Sequence, residues 1–132
     1  GAKNSCLAGK WFDKTLSFEE NDRKIQSIEI NRKTENELLI NFHLKDRLVS
    51  VEAGFENWIT QEAVFDDPHH FLNSFSYAFK DDKTLVIKQY WLNMSGYDIY
   101  TLHFQDDSVN GMIIRSVKLG GAVPIELSGN IQ

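Results

Sequence analysis

Apolar and polar residues alternate with a period of two along most of this chain. Leu38, Ile40, Phe42 and Leu44 alternate with Glu37, Leu39, Asn41 and His43. Val49, Val51, Ala53 and Phe55 alternate with Ser50, Glu52 and Gly54. Phe75, Tyr77 and Phe79 alternate with Ser74, Ser76, Ala78 and Lys80. Such runs put one set of side chains on a buried face and the other towards water, the signature of half-buried strands. Each run is bounded by turn-forming polar residues: Lys33 to Asn36, Lys45-Asp46-Arg47, Asp81-Asp82-Lys83, Ser95-Gly96 and Asp106 to Gly111. The pattern predicts strands near 10–18, 25–31, 37–44, 48–56, 60–65, 73–80, 84–93, 97–105, 111–119 and 122–128. A short helix is admitted only between Phe65 and Asn73.

The fold class is therefore all-β. The expected architecture is an antiparallel meander of about eight to ten strands closed into a lipocalin-like barrel, with a β-sandwich as the alternative. Closure removes exposed sheet edges that would otherwise template aggregation. Pro68 and Pro124 fall in or near loops, where a missing N–H costs nothing.

One hairpin repays closer reading. With Ser95-Gly96 as its turn, Trp91 faces Tyr100, Gln89 faces Leu102 and Ile87 faces Phe104, all on the core face with Leu85. The opposite face carries Tyr90, Leu92 and Ile99 beside Lys88, Thr101 and His103. Its apolar half is either covered by a neighbouring loop or forms a docking patch. Tyr90, Leu92 and Ile99 are the interface candidates.

Size and composition narrow the picture modestly. At 132 residues the chain fits one domain, with a core large enough to stand without metals or disulfides. Residues 7–132 are assigned to the barrel. Residues 1–6 are read as a linker or cloning remnant, the natural chain beginning earlier. The net charge of -5 argues against nucleic acid as a partner. Cys6 is the single cysteine, so no intrachain disulfide forms, and no motif around it marks a nucleophile. Apolar runs are far too short for a membrane-spanning helix.

A search for chemistry finds little. No serine is followed three residues later by lysine, and Gly-x-Ser-x-Gly is absent, so neither the penicillin-binding nor the α/β-hydrolase nucleophile is present. The one local group resembling metal ligands is Asp66-Asp67-Pro68-His69-His70. Adjacent histidines on an extended chain point apart, so His69 and His70 are weak candidates and no metal is assigned. The Asp106 to Gly111 stretch lacks the spacing of a calcium loop and reads as a hairpin turn. No catalytic residue and no cofactor are assigned. The aromatics Trp11, Trp58, Trp91 and Tyr100, with Phe12 and Phe71, either fill the barrel or line a pocket for a small hydrophobic ligand. An enzyme using His69 and His70, or a carboxylate pair near Trp58, is a third possibility.

Three stretches together resemble a known family. Leu7-Ala8-Gly9-Lys10-Trp11, then Phe18-Glu19-Glu20-Asn21 and Ile25-Gln26-Ser27-Ile28, is similar to a recurring opening. Val51 to Trp58 resembles a G-x-x-x-W segment of the same domains. Phe79 to Leu85 with Asp98 to Phe104 resembles their closing hairpin. The family is the C-terminal β domain appended to bacterial serine hydrolases of the class C β-lactamase and penicillin-binding type. The likeness spans residues 7–119 and rests on turn and core positions. It departs where those domains often carry Glu-Thr-Pro and this chain has Asn93-Met94-Ser95. What the resemblance implies is a non-catalytic accessory domain that packs on a hydrolase domain of the same parent chain, outside the cytosol in the periplasm or secreted. A free-standing lipocalin-like protein binding a small hydrophobic ligand is the alternative.

Overall fold

The computed structural model describes residues 11–65, 72–92, 96–116 and 123–132. Ten strands fall where the alternation places them: β1 Thr15–Phe18, β2 Ile25–Thr34, β3 Glu37–Leu44, β4 Leu48–Phe55, β5 Ile59–Glu62, β6 Leu72–Asp81, β7 Thr84–Trp91, β8 Gly96–Gln105, β9 Ser108–Ser116 and β10 Val123–Ile131. Neighbours pair antiparallel in the order β4-β3-β2-β1-β10-β9-β8-β7-β6-β5. A short parallel pairing, Gly54↔Ser76 and Phe55↔Tyr77, joins β4 to β6 and closes nine strands into a barrel, with β5 as an extra strand on the outside edge of β6. The barrel reading holds and the sandwich alternative falls. No helix is present among the described residues, and so none that is long and apolar enough to cross a membrane.

Two strand starts differ from the pattern by more than one residue, for identifiable reasons. The first strand begins at Thr15 rather than residue 10, because Asp13 sits at a φ of 63° and breaks the extended chain. The two residues before it then fold over one end of the barrel. Strand β9 begins at Ser108 rather than 111, since the turn is tight: Asp106 takes a φ of 53° and β9 resumes pairing two residues later. Aspartate tolerates this left-handed conformation better than most side chains.

The inward residues form one cluster. Trp11 and Phe12 stopper one end, with Trp11 stacked on Phe104 at 4.5 Å between ring centroids and the Arg32 guanidinium 4.7 Å above Phe12. The void between Trp11, Phe12, Ile30, Phe79, Leu85 and Phe104 is about 10 Å³, at or below what one water needs. That end is packed shut. At mid-height Phe42 on β3 meets Tyr100 on β8, nearly opposite in the ring of strands, at 5.5 Å, and also Phe75 at 6.5 Å. The middle of the barrel is filled by side chains at this level.

The β7–β8 hairpin has a different register from the expected one. Trp91 pairs with Gly96, Gln89 with Asp98, Ile87 with Tyr100 and Leu85 with Leu102. Gly96 is therefore already paired, as the first residue of β8. A β-carbon there would come within 2.9 Å of the Ser116 carbonyl oxygen and 3.0 Å of the Trp91 ring, so glycine serves close packing and not a turn. The offset is four residues, an even number, so every side chain keeps the face predicted for it.

Candidate functional site

The end opposite the Trp11 stopper gathers polar side chains pointing inward. Its organiser is the turn between β1 and β2. The Asn21 side-chain amide donates to the carbonyls of Glu19 and Ile25, both at 2.9 Å, and its Oδ1 accepts from the Ile25 N–H at 3.2 Å. Lys24 adopts a φ of 56°, which reverses the chain, and its carbonyl accepts from the Lys45 N–H of the β3–β4 turn at 3.1 Å. Arg23, held in this knot, reaches the β8 wall.

There it meets Asp98, which is fully buried. Arg23 Nη1 donates to Asp98 Oδ2 at 2.8 Å. Arg115, paired beside Asp98 on β9, donates from Nε to Oδ1 at 3.0 Å and from Nη2 to Oδ2 at 3.2 Å. The Arg115 guanidinium also lies 4.6 Å from the Trp91 ring centroid, a cation–π contact. Two guanidiniums thus share one carboxylate, leaving a surplus positive charge at this mouth of the barrel.

A second chain of hydrogen bonds runs beside it. Tyr100 OH donates to Gln89 Oε1 at 2.8 Å, Gln89 Nε2 donates to Asn73 Oδ1 at 3.1 Å, and Asn73 Nδ2 donates to the Ala63 carbonyl at 3.0 Å. All three side chains are buried, so each bond satisfies a group that would otherwise be stranded. Burial pushes the Tyr100 phenol well above its ordinary pKa, so it remains a neutral donor. Arginine does not deprotonate in proteins, and neither group is poised as an acid or base near neutral pH.

Beside the cluster lies a cleft of 230 Å³ bounded by Asp22, Arg23, Lys24, Ile25, Leu44 and Phe65. Phe65 forms its floor and packs edge-on against Phe42 at 5.2 Å. A wider, shallower depression of 590 Å³ flanks the same turn on the outside, between Phe18 and Lys45.

The aromatic candidates separate on inspection. Trp91 stands at the mouth, and Tyr100 lies deeper, against Phe42. Trp11 is at the far end as a stopper. Trp58 is outside the barrel, 50% exposed and packed edge-on against Tyr90 at 6.3 Å, so it lines no interior pocket. His69, His70, Phe71 and Cys6 lie outside the described residues. Among the described residues no group of three or more histidine, cysteine or carboxylate side chains is placed to hold a metal ion. Arg23, Asp98 and Arg115 were not singled out in the sequence, although strand parity puts Asp98 and Arg115 on the inward face with Tyr100 and Ile113. A charged residue at an inward position is the signal that marks them.

No protein-family model and no curated protein matches this chain. Solved structures do. A Schistosoma mansoni fatty acid binding protein in complex with arachidonic acid aligns with a TM-score of 0.69 over 96% of this chain and 98% of its own, at 6% identity. As-p18, an extracellular fatty acid binding protein, aligns with a TM-score of 0.69 over 96% of this chain and 99% of its own, at 10% identity. The fold is that of the fatty acid binding proteins. These end-to-end matches overturn the resemblance to a C-terminal domain of β-lactamase-like serine hydrolases, and with it the accessory role and the hydrolase partner. The motifs behind that resemblance are turn and core positions: Trp11 stacks in one end of the barrel, Asn21 knits the β1–β2 turn, and Gly54 stands close to the Asn57 carbonyl.

Proposed function

We propose that this chain is a non-catalytic binding protein for a small hydrophobic molecule, taken up at the Arg23–Asp98–Arg115 end of the barrel. The carrying observation is the asymmetry of the two ends. One is sealed by Trp11 and Phe12, while the other opens beside Phe65 and Leu44 under an inward-facing surplus of positive charge. A ligand with an apolar tail and an acidic head suits that chemistry: the tail lies on Phe65 and Leu44, and the head replaces water on the guanidiniums. Fatty acids, for which both structural neighbours are named, are the first class to test. The Phe42–Tyr100 contact sets the depth, so shorter chains are favoured over long ones unless the rings move aside.

Titration calorimetry with saturated acids of about 8 to 18 carbons, beside the matching alcohols, tests this directly. One-to-one binding with the acid preferred by roughly tenfold is expected, since charge-assisted hydrogen bonds exceed neutral ones. In a variant with Trp11→Phe and Trp58→Phe, the remaining Trp91 emission should shift on binding. Absence of binding by every acid at about 100 µM, or equal affinity for acid and alcohol, refutes the reading.

A further inference from the structure

The outward face of β7–β10 carries exposed apolar side chains away from the mouth. Its register can be read strand by strand. One row runs Lys88–Ile99–Ile114–Pro124, and the next runs Val86–Thr101–Met112–Glu126. Above them Tyr90 pairs with Tyr97. Tyr90, Tyr97, Met112 and Ile114 are exposed by 39%, 40%, 36% and 37%, high for apolar side chains standing together on one sheet. The charges in these rows are Lys88 at one side, on β7, and Glu126 at the other, on β10. Neither makes an ion pair among the described residues.

We propose that this face binds a second copy of the chain in a two-fold dimer. A face-to-face two-fold axis lies in the contact plane, and here it runs along the strands between β8 and β9. It exchanges β8 with β9 and β7 with β10, and it keeps each row at its own height. Ile99 then meets Ile114 of the second copy, and Thr101 meets its Met112. Lys88 lands opposite Pro124 of the second copy, one row, about 6.8 Å, from its Glu126. A lysine side chain spans that gap, and symmetry makes the contact twice. The patch is therefore self-complementary in charge as well as apolar at its centre, which is what an isologous interface requires. A partner of other chemistry does not explain why one cation and one anion flank the midline at equal distance. Sheets packed this way cross at roughly 30°, which a modest tilt of the axis provides.

The size sets the strength. Four strands by three rows of outward residues cover roughly 19 Å by 20 Å, or on the order of 400 Å², against ~800 Å² per partner in a standard interface. A contact of this size belongs to the weak, transient class, so the expected dimer is a reversible one.

Sedimentation velocity on the full chain, from about 5 to 500 µM, is the test. Wild type should shift from monomer to dimer across that range. Lys88→Glu and Glu126→Lys should each weaken association by about tenfold, and Ile114→Glu should leave a monomer throughout. The double exchange Lys88→Glu with Glu126→Lys should recover the wild-type constant within about threefold. All three positions are exposed, and far-UV circular dichroism confirms that each of the four variants is folded. A wild-type monomer at the highest concentration, a dimer indifferent to Ile114→Glu, or a double exchange no better than the single ones overturns the proposal.

Discussion

Replacing Asp98 by asparagine removes one negative charge and almost no volume, so it isolates what that carboxylate does. Asp98 is fully buried and accepts three charge-assisted hydrogen bonds, one from Arg23 and two from Arg115. With the charge gone, two guanidiniums face each other at the barrel mouth with no counter-ion. Removing one partner of a buried ion pair costs about 3–5 kcal/mol. The Arg23 side chain is 11% exposed and Arg115 32%, so water relieves part of the penalty and the low end, about 3 kcal/mol, is expected. Against a total stability of about 5–15 kcal/mol this is a large fraction. For a chain of this length it lowers Tm by roughly 10–15 °C. Urea denaturation followed by circular dichroism measures it, with an unchanged m-value showing that the same surface unfolds. Replacing all three residues by leucine or methionine should return much of the loss, because the desolvation cost disappears along with the attraction. The same Asp98→Asn variant should bind acidic ligands more tightly, since both guanidiniums become available to them. A loss below about 1 kcal/mol, the range of a surface salt bridge, refutes the account of Asp98 as the buried counter-ion that holds the mouth.

Three other perturbations have expected outcomes. Gly129→Ala should destabilise the protein by about 1–3 kcal/mol in thermal or urea melts, because a methyl there falls on the Ser17 carbonyl in the β1–β10 pairing that joins the first strand to the last. Phe42→Ala should cost about 3–5 kcal/mol, as Phe42 is fully buried and touches Phe65, Phe75 and Tyr100; in titration calorimetry it should also shift the preferred acid towards longer chains. The backbone N–H of Lys83 holds the Asp81 carboxyl below its usual 3.8, so the stability it lends is complete above that value and is lost as pH falls through the lower folded one. In urea melts the gap between wild type and Asp81→Ala should hold constant above about pH 5 and close below about pH 4; a gap unchanged down to about pH 2.5 refutes the assignment.

Strand number, order of faces and the barrel were legible because they depend on parity. Leu38, Ile40 and Phe42 face inward whatever the exact ends of β3, and the hairpin at β7–β8 kept its faces despite a four-residue error in register. Register itself was not legible there. Ser95-Gly96 looks like a turn in isolation, and only the position of the Trp91 ring and the Ser116 carbonyl shows why a glycine stands at position 96. Trp58 shows the same limit. An aromatic in a strand-rich chain suggests interior packing, yet the extra strand β5 sets it outside against Tyr90.

Alternation alone determined that these residues form an all-β meander with one apolar interior, because side-chain direction in a strand is local and repeats every second residue. Which residues meet across that interior was decided only by closure. Arg23 and Asp98 are 75 positions apart, and nothing in their neighbourhoods links them. The asparagine-knit turn and the joining of β4 to β6 bring them together, and the sealed and open ends of the barrel follow from that same closure.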